Sequence, residues 1–253
     1  MPSKKTSRKA VLAPENKVIA KKVNKVNGQG NSSPLLISYM TLRKTIGVLG
    51  TTLPFIVSLG GLIIFQTKLQ GSISSYYYTG MRDVFVGTLW AIGIFLFAYK
   101  GYDRIDNITG NLACIFAIGI TLFPTTPEGP DIIITNNARI IGYVHMGFAA
   151  LFFGTLSYFS LVLFTKTQKN SASQMTIRKQ QRNTVYVVCG YIMLACIVLM
   201  AIYSFMQSKD ATFLISLHPT YWLEALAIVA FGVSWLIKGE TILKDGNQFW
   251  YQL

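Results

Sequence analysis

Long runs of apolar residues, separated by short polar stretches, dominate the chain from about residue 45 onward. Six of them reach or approach the roughly 17–25 apolar residues that a helix needs to cross a hydrocarbon layer of about 30 Å. None alternates apolar and polar residues over short segments, as the strands of a membrane barrel do. The pattern therefore predicts six transmembrane helices, at Thr45–Phe65, Asp83–Tyr99, Ile108–Phe123, Ile141–Phe164, Thr184–Met206 and Tyr221–Ile237.

These runs predict an all-α membrane protein whose six-helix bundle occupies residues 41–239. A basic tail of residues 1–40 precedes the bundle, and a short tail of residues 240–253 follows it. The composition agrees, because 51% of the residues are hydrophobic and only 13% are charged, which is more apolar material than a soluble core of this length uses. The third run is the shortest and ends at Pro124, so it could cross the membrane only in part.

The distribution of charge predicts the orientation of the bundle. The formal net charge is +13, and all but four of the 23 Lys and Arg residues fall on one side if the N-terminal tail is cytoplasmic. Cytoplasmic loops carry such an excess of basic residues, so we expect both termini inside. Because the sequence shows no eukaryotic sorting signal, we expect a bacterial inner membrane as the location. The opposite side keeps only Lys68, Arg82, Arg139 and Lys209.

The tail itself is rich in lysine and contains a single acid, Glu15. A segment of this composition cannot bury enough apolar surface to order itself, so we expect disorder. Two interpretations stay open: the tail is held to anionic lipid, or it is a solvated segment that sets the topology. Nucleic-acid binding is disfavoured because no aromatic interleaving or binding module accompanies the charge. The first forty residues also lack the apolar core of a cleaved signal peptide.

Small residues within the runs predict where helices approach one another closely. Gly47 and Gly50 take this position in the first run, and Gly147 and Gly154 in the fourth. The cysteines also fall inside apolar runs, where thiols pack as small hydrophobic groups rather than as disulfides. They are Cys114, Cys189 and Cys196.

Three alternate runs carry one ionisable residue just inside the same end: Asp83, His145 and Glu224. With both termini inside, these runs all pass from the outer to the inner face, so the three residues lie at a comparable depth in the outer half of the bundle. Ionisable groups in spans are costly and are functional candidates. Further polar residues near this level are candidate ligand-binding groups: Ser75, Tyr78, Arg82, Arg139 and His218.

Two interpretations of this constellation stay open. In the functional one, the residues line a polar pocket that holds a ligand, acts as an acid and base pair, relays protons or holds a metal such as zinc. The candidate zinc ligands are Asp83, His145, His218 and Glu224. In the structural one, each carboxylate complements its own helix dipole, an arginine pairs with one carboxylate, and His145 satisfies a backbone carbonyl.

Ser74 or Ser75 before a span, Asp83 at its start and the histidines near the outer face resemble the alkaline ceramidase and progestin-receptor-type superfamily of membrane hydrolases. The resemblance implies a helical, multi-span fold in which three histidines hold zinc near a serine and an aspartate. That family typically has seven spans with an HxxxH pair in the last. Since this chain has only two histidines, a similar zinc site here would need a carboxylate such as Glu224.

The segments SSYYYTGMRDVFVG and WLEALAIVAFGVSWLIKGE resemble uncharacterised six-span bacterial membrane proteins, which implies a fold but no activity. Phosphate-loop, zinc-protease and nucleophile-elbow motifs are missing from the sequence. Three functions remain. The chain binds or passes a small polar or lipid head-group ligand through the outer polar site, it is a metal-dependent lipid hydrolase, or it is a structural protein that interacts through its polybasic tail.

Overall fold

The computed structural model describes residues 34–101, 103–129, 132–166, 177–206 and 217–240. By its internal contacts the chain divides after Ser38, and every contact reported below lies within Tyr39–Leu253. The predicted disorder of the basic tail concerns residues that lie almost entirely outside the described ones, as does the predicted short tail after residue 240.

The described residues form six α-helices and contain no strand. The all-helical prediction is therefore confirmed. A short 3₁₀ helix, Ser74–Tyr78, lies between the first two α-helices, and a π-helical segment, Phe159–Leu163, continues the fourth. The α-helices are α1 (Pro34–Ile64), α2 (Arg82–Ala98), α3 (Arg104–Leu122), α4 (Asn136–Tyr158), α5 (Ile177–Met206) and α6 (Pro219–Lys238).

Five of these helices, all except α2, are long and apolar enough to cross a membrane, so the chain is an integral multi-pass membrane protein. The third apolar run, which was expected to be short, belongs to the 19-residue helix α3. The helix is longer than the run because its first turn consists mostly of polar residues. Asp103 and Asp106 close that turn with a capping box, in which each side chain accepts from the backbone of the other. Helix α2 has 17 residues and is the shortest of the six.

The bundle is apolar on its surface and partly polar inside, which is the arrangement that suits a lipid environment. Ile63 on α1 is 72% exposed and Phe205 on α5 is 92% exposed. Ser160 and Ser234, by contrast, are completely buried, and their hydroxyl groups form a hydrogen bond of 2.7 Å between the π-helical segment and α6. Hydroxyl pairs of this kind connect helices where no water is available.

Glycines bring the backbones of α1 and α6 into contact. A Cβ atom at Gly47 would lie 2.7 Å from the backbone nitrogen of Leu236, and one at Gly232 would meet the backbone of Thr51. The packing role predicted for Gly47 is therefore confirmed. The same prediction for Gly147 and Gly154 is wrong, because no described atom lies within 4 Å of a Cβ built at either position.

The connecting segments gather at two ends of the bundle. At the Glu224 end, the segment between α1 and α2 meets the one between α3 and α4, and the Tyr78 hydroxyl donates to the carbonyl of Thr125 at 2.6 Å. At the Lys238 end, the Arg43 guanidinium donates to the carbonyl of Lys238 at 3.3 Å, and Lys166 pairs with Asp103 and Asp106.

Candidate functional site

Glu224 lies in the second turn of α6 and binds the segment between α1 and α2. Its carboxylate accepts from the backbone nitrogen of Ser74 at 3.1 Å and from the Ser74 hydroxyl at 3.4 Å. The backbone of Ile73 also donates to it. The two backbone donors are free N–H groups at the start of the 3₁₀ helix, where a negative charge is favourable.

Tyr221 lies one turn before Glu224 on α6, and residues three positions apart share a helix face. Its side chain is buried, and its hydroxyl forms a 2.7 Å hydrogen bond with the hydroxyl of Ser58 on α1. The contact fixes this face of α6 against α1. Glu224 is consequently held toward the 3₁₀ helix rather than toward lipid.

A second carboxylate at this end of the bundle, that of Glu128, was not predicted as a site residue. It belongs to the proline-rich segment after α3, and its carboxylate packs directly on Gly71, where any side chain would collide with it. It is within electrostatic range of both Glu224 and His218. Partial burial raises the pKa of Glu128, and the nearby His218 offsets part of that rise. Glu128, Glu224, His218 and Ser74 together are called the carboxylate cluster below.

His218 caps α6 in an unusual backbone conformation. Its φ and ψ are 47° and 54°, in the left-handed region, although the residue before a proline normally adopts an extended conformation. A non-glycine residue in this region carries a cost of the order of 1 kcal/mol or more. The side chain of the same residue lies within electrostatic range of Glu128.

Within the described residues, neither carboxylate of the cluster forms an ion pair with a lysine or arginine. The ion pairs found there both belong to Lys166. Arg82 instead donates to the Tyr77 hydroxyl at 2.8 Å and stacks on that ring at 4.4 Å, while Arg139 is exposed. The pairing of an arginine with a carboxylate, which the structural interpretation expected, is not found in this part of the chain.

His145 forms hydrogen bonds with backbone carbonyls, as the structural interpretation expected. Its side chain is 4% exposed, and Nδ1 lies 3.1 Å from the carbonyl oxygen of Ile120 and 2.7 Å from that of Phe123. Because a carbonyl can only accept, Nδ1 carries the proton. The imidazole thus satisfies carbonyls at the end of α3, which have no partner within that helix.

The other predicted site residues have separate surroundings. Asp83 is exposed in the first turn of α2. Ser75 is buried, and its hydroxyl and backbone nitrogen bind the Ser72 hydroxyl at 2.8 and 3.0 Å. Tyr78 contacts Thr125, as described above. Of the residues that the sequence singled out, Glu224 and His218 are the ones that belong to the carboxylate cluster.

The considered zinc ligands do not form a metal-binding group in the described part of the chain. No set of three or more His, Cys, Asp or Glu side chains there is arranged to hold a metal ion. What the cluster offers is two carboxylates from different segments, an imidazole and a serine hydroxyl. Such a set can accept hydrogen bonds from a cationic group or bind and release protons.

Comparison with known proteins adds no relative from which a role could be taken. No protein-family model, curated protein or solved structure matches the chain.

Proposed function

We propose that this chain is a six-span membrane protein with cytoplasmic termini that binds or passes a small polar ligand at the carboxylate cluster. The ligand carries an ammonium group, either as a free amine or as the head group of a lipid. The observation that carries the proposal is that Glu128 lies within electrostatic range of Glu224, while neither carboxylate forms an ion pair with a lysine or arginine among the described residues. Two ionised carboxylates within electrostatic range repel each other, and a bound cation removes that repulsion.

The hydrogen bonds of Glu224 leave room for a ligand. An ionised carboxylate offers about four lone-pair positions. Ser74 occupies two of them through its backbone nitrogen and hydroxyl, and the backbone of Ile73 occupies a third. An ammonium group donates up to three hydrogen bonds and could bridge Glu224 and Glu128. Glu128 is exposed on one side, which provides access from the surface.

The orientation of the chain supports a ligand from the outer side. The positive-inside pattern of the sequence assigns the Glu224 end to the outer face and the Lys238 end to the cytoplasmic face. The cluster then opens toward the outer solution or the head groups of the outer leaflet. Both a free amine and an amine-bearing lipid reach it there.

Isothermal titration calorimetry of the full-length chain in detergent with ethanolamine tests this proposal. We expect the wild type to bind, and Glu224→Gln and Glu128→Gln to lose affinity by about tenfold or more, the usual effect of removing one charge-assisted contact. Asp83→Asn is the matched control, because it removes an exposed carboxylate at the same end of the bundle. Phosphatidylethanolamine, titrated in the same way, separates a lipid head group from a free amine.

The proposal fails if ethanolamine and phosphatidylethanolamine both leave the wild type without a binding signal. It also fails if the two cluster variants bind as the wild type and Asp83→Asn do.

A further inference from the structure

The opposite end of the bundle contains a buried arginine with an unsatisfied donor. Arg43 on α1 is 6% exposed, and its guanidinium lies over the rings of Tyr39 and Tyr99, at 4.2 and 5.5 Å from their centroids. One terminal nitrogen donates to the carbonyl of Lys238, but Nε has no acceptor among the described residues. A buried charged donor without an acceptor is costly, so a group that supplies an acceptor would stabilise this end of the bundle.

A second buried donor lies in the same surroundings. The indole nitrogen of Trp235 on α6 is completely buried and has no acceptor in the part of the chain that the structure describes. Its ring packs edge-on against Tyr99, with 5.1 Å between the centroids. Tyr99 therefore contacts both Arg43 and Trp235. Each of these two side chains has a buried nitrogen without an acceptor among the described residues.

Positive charge accumulates around these donors. The Lys238 ammonium lies 5.1 Å from the Phe164 ring and 3.5 Å from the Phe164 carbonyl oxygen. Its electrostatic neighbours include three cations and one acid. The acid is already engaged, because its carboxylate binds Lys166 at 3.1 Å. The neighbouring cations are Arg43, Lys179 and Arg182, and the acid is Asp106.

Two ordinary effects account for part of this arrangement. Cations are favourable near the C-terminus of a helix, here α6, and aromatic rings attract them. Neither effect supplies an acceptor for Nε of Arg43, and neither offsets the repulsion between Arg43 and Lys238. An anion with several oxygen atoms does both, and the planar guanidinium suits phosphate in particular.

We propose that Arg43 and Lys238, at the Lys238 end of α1 and α6, bind a phosphate-bearing anion, either the head group of an anionic lipid or free phosphate. Basic pockets between membrane helices are known to hold phosphorylated lipid head groups. This site is separate from the lipid contact considered for the N-terminal tail, because its residues belong to the helices. It is also separate from the carboxylate cluster and does not depend on the function proposed for it.

Thermal unfolding of the full-length chain in dodecyl maltoside tests the site. Phosphatidylglycerol, phosphatidylcholine and sodium phosphate at constant ionic strength are titrated in turn. Arg43→Gln and Lys238→Gln remove one charge each, and Lys100→Gln is the matched control. Lys100 is an exposed lysine at the same end, whose ammonium lies near the Phe97 ring instead. Any contact of the basic tail with lipid is common to all four proteins.

We expect phosphatidylglycerol to raise the unfolding temperature of the wild type and of Lys100→Gln at the same lipid concentration. Arg43→Gln and Lys238→Gln should both need about tenfold more lipid for half of the effect, since each loses one charge-assisted contact. If Arg43→Gln does not fold, Lys238→Gln alone decides, because Lys238 is only half-buried at the end of its helix.

The two sources of phosphate give different results. A lipid site responds to phosphatidylglycerol and not to sodium phosphate, whereas a site for free phosphate responds to both with the same dependence on Arg43 and Lys238. The proposal is overturned if all four proteins respond alike to each probe, or if phosphatidylcholine acts as strongly as phosphatidylglycerol.

Discussion

The carboxylate of Glu224 accepts a hydrogen bond from the backbone nitrogen of Ser74 at 3.1 Å, although 150 positions separate the two residues. This contact connects α6 to the segment between α1 and α2 at the Glu224 end of the bundle. Glu224, an ionisable residue within a span that is costly to bury, therefore holds the segment between α1 and α2 in place. The same carboxylate forms one half of the proposed ligand site.

Replacement of Glu224 should loosen that connecting segment. Glu224→Ala leaves the start of the 3₁₀ helix without its acceptor and should lower the free energy of unfolding by about 1–3 kcal/mol. Glu224→Gln retains one acceptor oxygen, so its loss should be smaller. Hydrogen exchange of residues 66–80 measures the effect locally. Equal exchange in Glu224→Ala and the wild type would mean that the contact does not hold the segment.

The stability of the protein should depend on pH through Glu128. Partial burial raises its pKa in the folded state and His218 offsets part of the rise, so protonated Glu128 favours folding. This contribution is fully present below the ordinary glutamate pKa of about 4.3 and is lost as the pH rises through the raised value. Stability curves of the wild type and Glu128→Gln should therefore diverge with rising pH, to the disadvantage of the wild type. Curves that stay parallel would contradict the shift.

A side chain at position 232 should destabilise the protein, whereas a side chain at position 154 should be tolerated. A Cβ at Gly232 meets the Thr51 backbone of α1, while no described atom lies near one at Gly154. Gly232→Ala should therefore cost about 1–3 kcal/mol, as overpacking does, and Gly154→Ala should change the unfolding temperature little. Thermal unfolding in detergent compares the two variants. Similar losses in both would show that the α1–α6 contact is not as close as described.

His145 should matter for stability and not for metal content. His145→Ala removes the donor to the carbonyls of Ile120 and Phe123 and should lower the free energy of unfolding by about 1–3 kcal/mol. Elemental analysis of the purified wild type and His145→Ala should give the same metal content. One zinc ion per chain that disappears in the variant would instead support the hydrolase hypothesis and the superfamily resemblance, which stays a prediction.

The all-helical, multi-pass class of the fold could be predicted because the length and the apolar composition of a span can be read from the sequence. The ends of the helices were harder to place. Helix α5 begins at Ile177, whereas its predicted start was Thr184. The prediction missed the first turns because they contain Arg178 and Arg182. Charged residues there keep the helical backbone although they lower the local hydropathy, and hydropathy alone cannot separate such turns from a loop.

The candidate site could be predicted only in part. The sequence gives the depth of Asp83, His145 and Glu224, but it does not give the rotation of each helix about its axis, which decides the face on which a side chain lies. Glu224 faces the 3₁₀ helix, His145 faces the end of α3, and Asp83 is exposed. Glu128 gave no signal, because an acid in a proline-rich connection is usually solvated.

The most direct test of the account is the affinity for ethanolamine in a double-mutant cycle of Glu128→Gln and Glu224→Gln. If both carboxylates bind one ammonium group, the double variant should lose clearly less than the sum of the two single losses in binding free energy, because the first change already disrupts the shared site. Losses that add, or single variants that bind as the wild type does, would contradict a common site and leave Glu224 with its structural contact to Ser74 alone.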